Sequence, residues 1–314
     1  MNALVNVLTR RLKMRDLEIL ATIGSTLSLT RTADRMAMTQ PALSKWLREL
    51  EELLLTPLFE RTTRRITPTP AGQIVMLHAA RILGDLQRIT SDLEALHDGL
   101  SGVVRVGAPS AVAAVLIPEA VKHVLRTGAQ LQIQLWDGTL DRLLPLLRER
   151  EIDLVLGRLD GETLNAGCHH ELLYDGPVCV TAGLQHPLQA RGDIEWKDTI
   201  DYPWIVPPAS SPMRHSLESA FAQVGLAMPR ALMSSASLLI NKTIAEDSEC
   251  LFVASLHMVK ELEKNQGVRH LPLYVPGVPQ GIGMLWADAA TPGVAAFMAA
   301  LRISAARQAH AIPL

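Results

Sequence analysis

The residue types in this chain that could do chemistry point to recognition rather than catalysis. Residues 39–48 read TQPALSKWLR, which brings a hydroxyl (Thr39), an amide (Gln40), a proline (Pro41), a second hydroxyl (Ser44) and two cations (Lys45, Arg48) together. Groups of this kind on the first turns of a helix can bond base edges and phosphates in a DNA major groove. Arg64 and Arg65, in the polar stretch TTRR, form a second cationic point suited to backbone phosphate or the minor groove. A third set is scattered: Ser110 after GAP, Thr139 after DG, Arg158 in GRLD, Ser210 and Ser211 in PPASSP, and Ser235 and Ser237 in SSAS. Each sits where a strand hands over to a helix or where a helix starts, so that free N–H groups, a hydroxyl or a guanidinium could hold a small anion. One such hydroxyl is most often a simple helix cap. Their convergence on one cleft predicts a small polar ligand, a carboxylate by preference.

These residues need elements to position them. Leu17, Leu20 and Ala21 have helical spacing, with Gly24-Ser25 as the stop, and Ser28 opens a second short helix. Thr39 caps a third helix, in which Pro41 suits the first turn. There Leu43, Leu47, Leu50 and Leu54 make a narrow core stripe, with Pro41, Ser44, Lys45 and Arg48 on the opposite face. Cations precede the carboxylates Glu49, Glu51 and Glu52 along this helix, against the order its dipole favours, so helix stability did not choose it. Trp46 falls on the shoulder between the two faces and is expected to pack beside the core or the next helix as a support, not to touch a base. Leu58-Phe59 and Ile66 flank the TTRR tip as a short hairpin, or wing.

Thr69-Pro70 opens a long helix. Val75, Ala79, Ile82, Leu86, Ile89, Leu93 and Leu96 alternate by four and three over about three heptads, which predicts a partner helix and hence a dimer. Beyond the hinge DGLSG (98–102), strand-like and helical stretches alternate. VVRVGA, LQIQLWD and DLVLGR give a first βαβαβ unit, and PVCVTA, the WIVPP region and CLFVA a second series. GIGMLWADAA and the last helix return to the first unit. The expected domains are 1–69, 70–98 and 99–314. The last divides into one subdomain of about 103–168 and 274–314 and another of about 169–273.

Composition sets bounds. The chain has 314 residues and net charge −2, yet residues 1–70 alone carry +4, so the head rather than the body is the part suited to a polyanion. No run of 18 apolar residues predicts a membrane span. The arginines of MNALVNVLTRRLKMRDLEIL follow its apolar stretch, the reverse of a secretory signal, which predicts a cytoplasmic protein. Three widely spaced cysteines predict no disulfide framework. Cys168-His169-His170 invites a metal reading, but adjacent residues seldom face one centre and no second ligand pair lies at zinc spacing, so a polar loop is expected. No Walker loop, HExxH or GxSxG is present, so neither a catalytic residue nor a cofactor is assigned.

The stretch STLSLTRTADRMAMTQPALSKWLRELEELLLTPLFERTTRRITPTPAG closely resembles the winged helix-turn-helix of LysR-type transcriptional regulators. Gln40, Pro41, Ser44 and Lys45 match the positions with which that family approaches DNA, and Arg64 and Arg65 match the wing. Leu55 stands where the family usually has a glycine, Trp46 where a polar residue is common, and the residues before Arg11 extend the usual start. The rest of the chain resembles the family's effector domain, an α/β domain shaped like a periplasmic binding protein. DGPVCVTAGLQHPL and YPWIVPPASSPMRHSLESAF look closest to the branch regulating galactose-binding-protein expression and aromatic-acid catabolism. The resemblance implies an α+β multidomain bacterial regulator. It would bind inverted-repeat double-stranded DNA as a homodimer or homotetramer, answer to a small-molecule effector, and be able to meet RNA polymerase at a promoter. The competing readings are a solute-binding or transport-associated protein, disfavoured by the basic head, and an enzyme, for which no constellation can be named.

Overall fold

A computed structural model describes residues 10–61, 66–97, 102–165, 167–209, 211–263, 267–279, 281–287 and 290–311. Contacts divide the chain into two compact units: Met1–Val103 with Pro145–Asp153, and Val104–Leu144 with Leu154–Leu314.

The first unit opens with α1 (Met14–Thr26), α2 (Leu29–Arg35) and α3 (Gln40–Leu54), followed by the antiparallel pair β1 (Phe59–Arg61) and β2 (Ile66–Pro68) and by α4 (Pro70–His97). Helix α1 runs past Gly24-Ser25 to Thr26 and closes on Leu27 in the left-handed region. Ser28 caps α2 by accepting from the Arg31 N–H. Leu17, Leu20, Ile23, Leu43, Leu47 and Leu50 form one core with Leu58, Phe59, Ile66 and Ala79.

The missing family glycine has a clear outcome. Helix α3 still ends at Leu54, and Leu55 takes φ 52° with its side chain 90% exposed. A left-handed conformation costs a non-glycine residue about 1–2 kcal/mol, and this leucine gains no burial in return. Leu55→Gly is therefore expected to raise the stability of the unit by roughly 0.5–1 kcal/mol, after the entropy that glycine adds to the unfolded chain. Urea denaturation checks this, and a fall in midpoint would show that Leu55 has a partner in solution.

Helix α4 does not behave uniformly. Val75 and Ala79, the first two residues of the seven-residue repeat, pack into the unit's own core rather than facing outward. That corrects their assignment to a dimer seam: the helix must first lie across α1, whose apolar face they cover. From Ile82 onward the stripe is open, with Ile82, Leu86, Ile89, Leu93 and Leu96 between 40% and 65% exposed. About a third of a turn away around the helix lies a second, polar face. Arg88 pairs with Asp153 at 2.7 Å and donates to the carbonyls of Arg150 (2.7 Å) and Ile152 (3.2 Å). Arg81 donates to the Arg148 carbonyl at 2.9 Å, and Arg150 pairs with Asp85 at 2.6 Å. A Cβ on Gly84 would come within 2.7 Å of the Glu149 carbonyl, so only glycine lets the 145–153 segment lie this close.

The second unit has two lobes, each with its own main sheet. The first lobe runs through β3 (Gly102–Ala108), α5 (Ser110–Thr127), β4 (Leu131–Asp137), α6 (Leu140–Arg148), β5 (Leu154–Arg158), α7 (Gly161–Leu164) and β6 (His169–Asp175), and with the later strand β12 (Gly281–Trp286) its sheet has the order β4-β3-β5-β12-β6. The chain then crosses through Gly176-Pro177 to β7 (Val178–Gly183), β8 (Trp204–Val206), α8 (Pro212–Gln223), β9 (Ala231–Ser234), α9 (Leu238–Glu246), β10 (Phe252–Ser255), α10 (Leu256–Glu263) and β11 (Val268–Tyr274). Here the sheet order is β10-β7-β11, beside a small parallel β8-β9 pair. It returns with β12 (Gly281–Trp286), and α11 (Pro292–Ala311) packs with α5 on the first sheet's core.

Two expectations change. Cys168-His169-His170 is not a polar loop, because His169 and His170 lie in β6, paired with Trp286 and Leu285 of β12. Because β6 is held in the first sheet, the first lobe extends to Asp175 rather than stopping at 168. Cys179 and Cys250 are buried, and burial pushes the Cys179 thiol up to about 12. No described helix is long and apolar enough to cross a membrane.

Candidate functional site

Helix α3 is built as the sequence predicts. Thr39 stands outside it in an extended conformation, its hydroxyl accepting from the Ala42 N–H at 3.3 Å, with Pro41 in the first turn. The leucines Leu43, Leu47 and Leu50 are buried. Gln40, Pro41, Lys45 and Arg48 are exposed, and Ser44 is half-buried. The Gln40 amide donates to the Ser44 hydroxyl at 2.9 Å, and Arg48 leans back on the Ser44 carbonyl at 3.4 Å. Lys45 faces Glu49 at 3.7 Å, both largely in solvent, so DNA phosphates can compete for the ammonium. Arg64 and Arg65 lie outside the described residues; the strands that carry them, β1 and β2, are formed.

Trp46 is a half-buried support. Its ring packs on the core of the first unit, and its Nε1–H donates to Asp16 at 2.8 Å. The other oxygen of Asp16 accepts from the Lys13 N–H at the start of α1. One carboxylate thus ties the exposed helix to the first turn of α1. Trp46→Phe keeps an aromatic ring but deletes the bond and part of the packed indole, so it should cost about 1–2 kcal/mol in a thermal melt and leave operator preference unchanged. A changed preference would put the indole in the groove. Glu51 is a second residue whose role sequence spacing did not reveal: one of its oxygens accepts from the N–H groups of Leu58 (2.8 Å) and Phe59 (3.1 Å), joining α3 to the base of the wing.

The effector candidates fall into groups. At the ends of β3 and β4, Ser110 donates to the Asp137 carboxylate at 2.7 Å, and the Gly138 N–H reaches the Ala108 carbonyl at 3.4 Å, which brings Thr139 beside Ser110. Asp137 changes the chemistry there, because its negative charge occupies the Ser110 hydroxyl and opposes a bound carboxylate. On the other lobe, Ser235 and Ser237 lie just beyond the parallel ends of β8 and β9. Ser235 accepts from the Ser237 N–H at 3.1 Å, and Ser237 caps α9. Ser211 precedes α8 with no side-chain cap bond, while Ser210 lies outside the described residues. Arg158 closes β5, donates to the Pro279 carbonyl at 2.6 Å, and has no carboxylate facing it among the described residues. Burial holds its guanidinium below its usual range, as for a cation short of an anion. Among the described residues, no hydrogen bond links these groups to one another across the two lobes.

A winged helix-turn-helix followed by a long helix and a two-lobed α/β domain defines a DNA-binding regulator with a ligand domain. Residues 14–73 match the model of the bacterial regulatory helix-turn-helix proteins of the lysR family, and residues 97–306 match the LysR substrate binding domain. The chain belongs to the LysR family of DNA-binding transcriptional regulators. It is 29% identical over 290 residues to the HTH-type transcriptional regulator GalR of Pseudomonas putida, covering 92% of this chain and 73% of the relative. It is equally 29% identical over 299 residues to GbpR of Azospirillum brasilense, covering 94% and 87%. Among solved structures it resembles full-length OxyR of Pseudomonas aeruginosa, at TM-score 0.60 with 22% identity over 94% of this chain and 97% of the other. It also resembles DarR of Vibrio fischeri in complex with DNA, at TM-score 0.54 with 17% identity over 94% and 99%.

Proposed function

We propose that the chain acts in the cytoplasm as a homodimer, or a homotetramer built from dimers, that reads an inverted repeat through paired α3 helices and wings and answers to a small acid bound in the C-terminal domain. The observation that carries the DNA reading is the split face of α3, with leucines buried behind Gln40, Pro41, Lys45 and Arg48. Thr39, Gln40, Pro41, Ser44, Lys45 and Arg48 make the groove contacts, and Arg64 and Arg65 the flanking ones. The domain limits are 69 and 98, and the open stripe from Ile82 to Leu96 receives a second copy of the same helix. Arg158 receives the carboxylate of the effector, with Ser110, Thr139, Ser210, Ser211, Ser235 and Ser237 around it. An effector that prefers one arrangement of the DNA-binding modules shifts their spacing, for which typical couplings of about 1–3 kcal/mol suffice.

A gel shift across a salt series tests the DNA half. Arg64→Ala with Arg65→Ala should weaken binding and flatten the log-log salt slope by about 2, one unit for each phosphate no longer neutralised by an arginine. Unchanged slope and affinity would remove the wing from the interface.

A further inference from the structure

Three polar groups converge where β5, β6 and α10 meet at the crossing between the lobes. Arg158 ends β5. Tyr174, one residue before the end of β6, is buried. His257, in the first turn of α10, is 2% exposed, its ring 4.5 Å from that of Tyr174. Arg158 and Tyr174 flank β12 at one level, both in register with Ile282, and His257 packs beside Tyr174, which places all three in one neighbourhood.

His257 is the unusual member. Its Nδ1 is one of only two buried side-chain polar atoms among the described residues with no hydrogen-bond partner. Burial first, and then the nearby guanidinium, disfavour a second proton on this ring. Nδ1 of the neutral ring, whether as lone pair or as N–H, is a buried polar atom that lacks a partner. Buried polar atoms normally find a partner, so an unbonded one in the neighbourhood of an anion-seeking cation describes half of a binding site.

We infer that Arg158, Tyr174 and His257 form the selective end of the effector site, and that it takes a hydroxy acid: a carboxylate for Arg158 and, next to it, a hydroxyl, able to donate or to accept, for Nδ1 of His257. An amino acid fits less well, because its ammonium would stand in the field of Arg158. A plain acid satisfies the cation but leaves the histidine Nδ1 desolvated and unbonded, and a site built to bond a hydroxyl rejects the analogue lacking one. This rests on the proposal that Arg158 receives the effector, and it adds the chemical class.

Calorimetric titration of the full chain with matched pairs tests it: lactate against propionate, malate against succinate, and 2-hydroxybenzoate against benzoate, with inorganic phosphate as a bare anion. At least one hydroxy acid should bind about tenfold or more tightly than its partner. His257→Phe should erase that preference, and Arg158→Gln should weaken both members of the pair. If the phenylalanine variant does not fold, the 15N signal of His257 Nδ1 in the wild-type chain reports instead, moving with the hydroxy acid and not with its partner. Equal affinity within every pair, or a preference that survives His257→Phe, overturns the hydroxy-acid inference; weakened binding in Arg158→Gln would then leave the effector reading standing. Binding untouched by Arg158→Gln, or no binding by any acid, overturns both.

Discussion

Replacing Gly72 by alanine should unfold the start of α4 and abolish DNA binding while the C-terminal lobes still melt as before. A Cβ at this position would drive into the Leu58 carbonyl oxygen, far inside contact distance. That oxygen cannot readily retreat. It accepts from the Thr69 N–H at 2.9 Å, and the Leu58 side chain is buried in the core of the first unit. The Leu58 N–H is held by Glu51. Thr69 adds a further pin, donating to the Pro57 carbonyl at 2.8 Å and accepting from the Gly72 N–H at 3.0 Å. Overpacking against a fixed backbone costs about 3 kcal/mol, a large part of what a domain of this size has to spare. Differential scanning calorimetry should show the transition of the first unit lowered or lost and the other unchanged. An unaltered thermogram would mean that α4 can shift along the wing.

Charging the open stripe should have the second large effect. Leu86→Glu with Leu93→Glu places carboxylates on side chains that are exposed in a single copy, so the folded chain should lose little stability. In a paired helix the same positions face each other, and buried like charges do not persist. Sedimentation should report monomers, and affinity for a two-half-site operator should fall by about 100-fold or more as two linked modules become one. Affinity for a single half-site should not change. A dimer that survives both substitutions would move the interface away from α4.

The elements most legible in the sequence were those with local signatures. Thr39-Gln40-Pro41 and Thr69-Pro70 announce their helices through capping chemistry, and LQIQLWD forms β4 over the residues its alternation predicts. The arrangement around the recognition helix was half legible. Its faces follow from about 100° per residue, whereas the Asp16 partner of Trp46 lies thirty positions away and no spacing rule reaches it. Strand β6 was missed because it lies at a sheet edge, where His169, His170 and Glu171 give it no apolar alternation. The heptad reading of α4 went wrong at Val75 and Ala79 because a buried helix face and a dimer seam share one periodicity. Nothing in the spacing of Arg81, Asp85 and Arg88 announces the 145–153 segment that lies on them, because their partners are more than sixty positions away.

Glu51 has a consequence for operator choice. Its carboxylate clamps the far end of α3 to the first residues of the wing, and Gly72 and Thr69 clamp the wing to α4. On the proposed reading, the helix and the wing are then two jaws of a fixed caliper rather than two independent fingers. The distance between the bases read and the flanking phosphates gripped is set by the protein fold, so any mismatch falls on the DNA. Sequences that deform easily between those points would be preferred even where no side chain reaches them.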